Sequence, residues 1–239
     1  MNIAVIFAGG VGSRMNTNGT PKQFLSVHGK PILIFTLEHF QNNKNIDAIV
    51  ISCHKNYIDH CHDLIKTFGI TKVLRVVEGG ENGQASIYNG LKAAKEISEN
   101  NNDIVLIHDG VRPIIDNELI DANIESVKLY GSAITCAPAK ETIAIVDDGN
   151  KIEFTTNRDS TRIARAPQSF YLADILNVHE QAIKDGNTNV TDSCTLMRMY
   201  EKTLYTVLGK SENIKITTPD DYYVFKALLE AKENSIIFS

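Results

Sequence analysis

No apolar run in this 239-residue sequence approaches the ~18 residues a membrane-spanning helix needs. There is no basic surplus either. The formal net charge is −5, which argues against a general nucleic-acid binder and leaves any anionic ligand to a local cluster of cations. The four cysteines, Cys53, Cys61, Cys136 and Cys194, have neither disulfide-framework nor zinc spacing. They read as small buried or half-buried thiols in a reducing compartment. The N-terminus "MNIAVIFAGG" lacks the basic segment and cleavage site of a leader, so a cytoplasmic protein is expected. No repeat, low-complexity tract or long linker divides the chain, and 43% hydrophobic with 22% charged residues is ordinary for a globular protein. One domain over residues 1–239 is expected.

What is present is an alternation. "NIAVIFA", "DAIVISC", "KVLRVVE", "DIVLIHD" and "SAITCAPA" are short apolar runs that read as buried strands. Between them lie helical patterns: Pro31, suited to a first helical position, followed by apolar Ile32, Leu33, Phe35, Leu37 and Phe40; "IDHCHDLIKTFG", closed by Gly69; "QASIYNGLKAAKEIS"; and "DNELIDANIESVKLYG", with Asp116 as N-cap. Repeated strand–helix–strand units predict a doubly wound parallel sheet with helices on both faces. After Pro138 the pattern changes. "ETIAIV" and "KIEFTT" flank "DDGN", a hairpin signal that predicts a β-arm over about residues 139–162. Helices then resume at "LADILNVHEQAIKDG", "TDSCTLMRMY" and "PDDYYVFKALLEAKE".

Ligands of such sheets sit beyond the carboxyl ends of the strands. That selects the loops 8–22, 79–86 and 108–113. The first, "AGGVGSRMNTNGTPK", has no Gly-Lys-Ser/Thr of a P-loop, and Gly9, Gly10 and Gly12 do not fit dinucleotide spacing. It leaves a wide loop whose backbone N–H groups can face a phosphate chain, with Arg14 and Lys22 as added cations. His54, His60, Cys61 and His62 do not make a metal site, because His60 and His62 fall on different sides of a helix.

The ordered set A-G-G-x-G-S-R-M, P-K-Q-F, "EGGENGQAS", "HDGVRP", "ETI", "TTNRDST", "APQSF", "VTDSC" and "ENIKITTPDD" resembles the cytidylyltransferases of small polyol phosphates, those acting on ribitol 5-phosphate and methylerythritol 4-phosphate. The resemblance runs from Ile3 to about Leu229. It implies a Rossmann-like, doubly wound, mostly parallel sheet of the nucleotide-diphospho-sugar transferase type, with an inserted hairpin arm. "HDGVRP" and "KITTPDDY" lean toward ribitol 5-phosphate, the methylerythritol branch usually showing H-D-A-A-R-P. Two positions depart from the family pattern: Gly83 stands where an arginine is usual, and Ala166 where a threonine is.

The implied reaction joins CTP and a polyol phosphate, releasing pyrophosphate. A phosphate monoester is mostly a dianion at neutral pH, with a second pKa near ~6, so the nucleophile needs no general base. Catalysis becomes positioning and charge stabilisation. By resemblance Arg14 and Lys22 stabilise the transition state. Lys215 reaches the α-phosphate and acceptor, and Arg158 on the arm holds the acceptor phosphate. Ala8, Gly9, Gly10, Gly12, Gly80 and Ser86 frame the nucleotide. Asp109 is the expected Mg²⁺ ligand, one carboxylate sufficing beside substrate phosphates. Thr142, Thr191 and Asp192 are candidates for acceptor contacts, though Asp192 fits a helix N-cap equally well. Arg112 either contacts phosphate or pairs with Asp109. Arg162 and Arg165 either add phosphate contacts or form salt bridges. The arm predicts a homodimer in which it borders the partner's acceptor site.

Overall fold

The computed structural model describes residues 1–10, 20–98 and 100–237, with 233 and 235–237 by backbone alone. Strand β1 (Asn2–Ala8) is followed by a 3-10 turn at Lys22–Phe24 and a ribbon of β2 (Ser26–Val27) and β3 (Lys30–Pro31), which leads into α1 (Ile32–Asn42). Then come β4 (Ala48–Cys53), α2 (Ile58–Thr67), β5 (Val73–Glu78), α3 (Gly83–Ile97), β6 (Ile104–Asp109), α4 (Asn117–Tyr130) and β7 (Ser132–Pro138). Asp116 caps α4 as expected, accepting the Leu119 N–H at 2.9 Å, and Gly69 takes a φ of +64° one residue beyond Phe68, the C-cap of α2. Gly131 closes α4 at φ +80°. Pro31 is the extended cap of α1, at ψ 145°, and not its first helical residue.

The arm is present. β8 (Ala144–Val146) and β9 (Ile152–Thr155) form an antiparallel pair separate from the main sheet. Its turn is tied by Asp147, whose Oδ1 accepts the N–H groups of Gly149 and Lys151 at 2.9 Å each. Asn150, not Gly149, takes the positive φ of 61°.

The sequence reading places no strand between the arm and the next helix, and here the structure corrects it. β10 (Arg162–Tyr171) runs there, antiparallel, between β6 and β7. Its signal is broken in two ways. Residues 162–164 are exposed while 166–170 are buried, and its register against β7 shifts between Ala164 and Gln168, around a proline that normally argues against an interior strand. Helices α5 (Leu172–Lys184) and α6 (Ser193–Met199) follow, then β11 (Thr206–Leu208) and α7 (Pro219–Ile237). β11 is three residues long, too short to show a period, and the sequence reading does not include it either.

The strand order is β11-β7-β10-β6-β1-β4-β5, with β10 alone reversed among the described strands. Alternation along β1 divides the core. Ala4, Ile6 and Ala8 face α1 and α4 through Leu33, Leu37, Phe40 and Ile120. Ile3 and Val5 face α3 and α5 through Ile87, Leu91, Ile175 and Val178. Each fully buried aliphatic or aromatic side chain contributes roughly 1.5–3 kcal/mol. At the carboxyl ends of the strands the described parts of the three loops, including residues 8–10 and Lys22, residues 79–83, and Asp109 and Val111, border one cavity.

Candidate functional site

The first loop is anchored by a residue whose role the sequence did not announce. Gln23, 1% exposed, donates its amide to the carbonyls of Ala8 (2.6 Å) and Gly10 (3.1 Å). Phe24 beside it stacks on Tyr57 with ring centroids 5.0 Å apart. The 3-10 turn therefore fixes Lys22 over the cavity that opens at the end of β1. Gly12 and Arg14 lie outside the described residues.

The second loop closes against the first. A Cβ on Gly79 would stand 3.1 Å from the Gly9 Cα, and one on Gly80 would stand 2.3 Å from the Ala85 Cβ. A side chain at Gly79 would crowd the Gly9 backbone, and one at Gly80 would force the loop to shift on α3. Ser86, buried in α3, holds the arrangement. Its hydroxyl donates to the Asn82 carbonyl at 2.8 Å and accepts the Gly80 N–H at 3.0 Å. Asn82 caps α3 by accepting the Ala85 N–H at 2.9 Å. Ala8, Gly9, Gly10, Gly80 and Ser86 thus line one cavity of about 920 Å³, with Ser86 bracing the backbone.

A second cavity, about 290 Å³, opens beside it. The two share Phe7, Gly83, Asp109 and Lys215. Asp109 ends β6. Its Oδ2 accepts a hydrogen bond from Arg112 Nε at 2.7 Å, and its Oδ1 forms an ion pair with Lys215 Nζ at 2.5 Å. Burial alone would raise the Asp109 pKa, but the Lys215 and Arg112 charges outweigh it and hold the carboxyl well below the usual carboxylate range. His108, fully buried behind it, is pushed down to about 4 by desolvation, and its Nε2 meets the Arg112 carbonyl at 3.1 Å.

Lys215 owes its place to Asn213. The Asn213 side chain donates to the Ala166 carbonyl at 2.6 Å, and its own carbonyl accepts from Arg112 (2.9 Å) and Arg165 (2.5 Å). The Ile216 N–H bonds the Val111 carbonyl at 2.9 Å. Between these ties the Lys215 ammonium lies 5.6 Å from the Phe7 ring centroid.

The outer wall of the second cavity carries Gln168, Thr191 and Asp192. Asp192 is the N-cap of α6, its Oδ1 accepting the Thr195 N–H at 2.8 Å while Oδ2 accepts from Gln168 at 3.2 Å. Of the two readings of Asp192, the helix cap is realised, and the same side chain stands on the cavity wall. For Arg112 the pairing with Asp109 is what the geometry realises, with its side chain 12% exposed and on the cavity wall. Arg158 and Thr142 are not brought to either cavity of their own chain. They bond each other on the arm at 3.2 Å. Arg162 bonds back to the carbonyls of Asp159 and Thr161. Gly83 begins α3, and a Cβ there would meet open space.

For a divalent cation the fit rests on one group. Asp109 Oδ1 is buried and receives no well-angled hydrogen bond, only the Lys215 charge. A divalent cation held mainly by substrate phosphates would reach that oxygen by displacing the Lys215 ammonium from it. Among the described residues no cluster of three or more His, Cys, Asp or Glu forms a metal cage. His54 accepts the Asn56 N–H, His60 lies edge-on to Phe24, and Cys61 is buried.

The sequence profile described as IspD, 2-C-methyl-D-erythritol 4-phosphate cytidylyltransferase, matches residues 2–231. A ribitol-5-phosphate cytidylyltransferase of Streptococcus agalactiae serotype V (strain ATCC BAA-611 / 2603 V/R) is 56% identical over 238 residues, covering 100% of this chain and 99% of the relative. A 2-C-methyl-D-erythritol 4-phosphate cytidylyltransferase of Clostridium novyi (strain NT) is 39% identical over 230 residues, 96% of each chain. The crystal structure of 4-diphosphocytidyl-2C-methyl-D-erythritol synthase from Anaerococcus prevotii DSM 20548 is similar at TM-score 0.82 and 30% identity, covering 96% of this chain and 98% of that one.

Proposed function

The chain belongs to the IspD family of cytidylyltransferases, and from that premise we propose that it transfers CMP from CTP to D-ribitol 5-phosphate, giving CDP-ribitol and pyrophosphate. The observation that carries the reading is the pair of cavities joined at Asp109 and Lys215. The larger has backbone-lined glycine loops suited to a nucleoside triphosphate, the smaller a polar wall suited to a short polyol phosphate. The acceptor is chosen by relatedness. Identity is 56% to a full-length ribitol-5-phosphate enzyme against 39% to a methylerythritol enzyme, and "HDGVRP" leans the same way.

In this reading CTP lies in the larger cavity with its α-phosphate toward Lys215. The acceptor phosphate enters the smaller cavity and attacks the α-phosphorus in line, and pyrophosphate leaves. No proton need be removed from the nucleophile, so no base is required. Lys22 and Arg14 stabilise charge on the triphosphate as the bond to pyrophosphate breaks. Lys215 draws the two phosphates together against their mutual repulsion, and Asp109 with Arg112 fixes its ammonium. Mg²⁺, when bound, would screen the triphosphate, with Asp109 as the carboxylate that holds it. Ala8, Gly9, Gly10, Gly12 and Gly80 present backbone groups to the nucleotide.

Arg158 and Thr142 would serve the acceptor from the arm of a second copy, which makes the working unit a homodimer. The apolar arm residues Ile145, Val146, Ile152 and Phe154 are exposed in the single chain, as a surface awaiting a partner would be. Four free cysteines and a nucleotide substrate suit the cytoplasm.

The test is pyrophosphate release with CTP and Mg²⁺, comparing ribitol 5-phosphate with methylerythritol 4-phosphate. A kcat/KM at least tenfold higher for ribitol 5-phosphate is expected. Preference for methylerythritol 4-phosphate overturns the acceptor, and turnover of neither overturns the reaction.

A further inference from the structure

The smaller cavity has five charged residues on its wall: Asp109, Arg112, Arg165, Asp192 and Lys215. Four are spoken for. Arg112 and Lys215 both engage Asp109, and Asp192 caps α6. Arg165 is different. It takes part in none of the ion pairs among the described residues. A guanidinium offers five N–H donors, and the described structure commits one nitrogen of Arg165, Nη1, to the Asn213 carbonyl. Its Nε is buried without a hydrogen bond. Arg112 donates to that same carbonyl, so two guanidiniums converge on one neutral oxygen. Leaving a buried charge-bearing donor unpaired is costly. The wall also becomes smaller just here, with Ala164 and Ala166 flanking Arg165.

We propose that Arg165 is an acceptor-binding residue: its free donors take the non-attacking oxygens of the acceptor's phosphate, beside Arg112 and Lys215. The planar fork matches two phosphate oxygens at once. This contact comes from the same chain as Asp109 and Lys215, on strand β10, and not from the arm of a partner. It rests on the proposed reading that the acceptor is a phosphate monoester, and it holds for either acceptor, since both carry that group.

The test compares Arg165→Leu and Arg165→Lys with the wild type, measuring KM for ribitol 5-phosphate, KM for CTP, kcat and Tm. Removing a charge-assisted pair should raise the ribitol 5-phosphate KM by roughly tenfold to a hundredfold in the leucine variant. Lysine, which keeps the charge but not the fork, should fall between it and the wild type. KM for CTP should move far less. An unchanged acceptor KM in both variants overturns the proposal. So does a lower kcat with equal changes in both KM values, which would mark Arg165 as a brace for the loop carrying Lys215. If the leucine variant loses its thermal transition, the lysine variant decides alone. Should the wild type prefer methylerythritol 4-phosphate, the acceptor reading fails while Arg165 is still judged, by its KM for that phosphate.

Discussion

Lys215 Nζ stands 2.5 Å from Asp109 Oδ1 on the wall common to both cavities, while Arg112 holds the other carboxylate oxygen at 2.7 Å. One buried carboxylate therefore keeps two cations in place. Asp109→Asn removes the charge and leaves Arg112, 12% exposed, without its counter-ion. A loss of roughly 3 kcal/mol in stability is expected, read as a fall in urea midpoint, together with a lower kcat. The depressed pKa fixes the pH sense. A carboxylate held below its unfolded value stabilises the fold at neutral pH, and that contribution fades as pH falls below about 4. An equally stable, fully active asparagine variant would remove Asp109 from the scheme.

Lys22 is set over the larger cavity by a turn that Gln23 pins to β1. Lys22→Ala should cut kcat by roughly 10²–10³-fold, the usual effect of deleting one charge-stabilising donor. Tm should change little, because the pinning is done by Gln23 and Phe24. Near-normal turnover would refute the assigned role.

Gly80→Ala probes the packing of the second loop on the start of α3. The added Cβ would stand 2.3 Å from Ala85, inside α3. The loop must shift, and KM for CTP should rise by at least tenfold while KM for the acceptor changes less. Equal affinity for CTP in calorimetry would count against the loop as the nucleotide platform.

His179 tests the core behind α5. It is 1% exposed, lies parallel to Tyr88 at 5.8 Å, and neither ring nitrogen has a hydrogen bond. Burial pushes its pKa down to about 4 from 6.5. The unfolded chain binds the proton first, so stability falls as pH drops from about 6.5 toward 4, by up to roughly 3 kcal/mol. His179→Phe should flatten that part of the stability–pH curve by about one proton. An unaltered slope would show that the ring does not titrate on unfolding.

Arg158 lines neither of the two cavities described above in its own chain. If a partner's arm supplies it, Lys22→Ala and Arg158→Ala subunits, each weak alone, should complement when co-expressed. Half the dimers are then mixed with one intact site in two, giving roughly a quarter of wild-type activity. No gain on mixing would confine the arm to its own subunit.

Much of this was legible beforehand. Buried parallel strands are apolar along their length, so β1, β4 and β6 stand out, and Asp116 and Gly131 punctuate α4 visibly. The arm showed through "DDGN". β10 did not, because it changes partner, burial and register around Pro167 and so has no single period. The ambiguous cations could not be sorted in advance. Arg112, Arg162 and Arg165 are alike in sequence, and only distance separates the one paired with Asp109, the one folded back on the arm and the one left with donors to spare. Gln23 was visible in P-K-Q-F, but its two carbonyl bonds follow from the close packing of the turn on β1.

The reversed strand β10 has a consequence for how such an enzyme diversifies. The glycine loops and Ser86 come from the first half of the chain, while Arg165, Gln168 and Asp192 hang from β10 and the turn before α6. On the proposed reading, substrate choice is split between two stretches of gene that meet at Asp109 and Lys215. Under that reading, mutations along the second stretch would retune which alcohol phosphate is taken without disturbing the grip on the nucleotide, and a descendant would need to rewrite only one wall to acquire a new product.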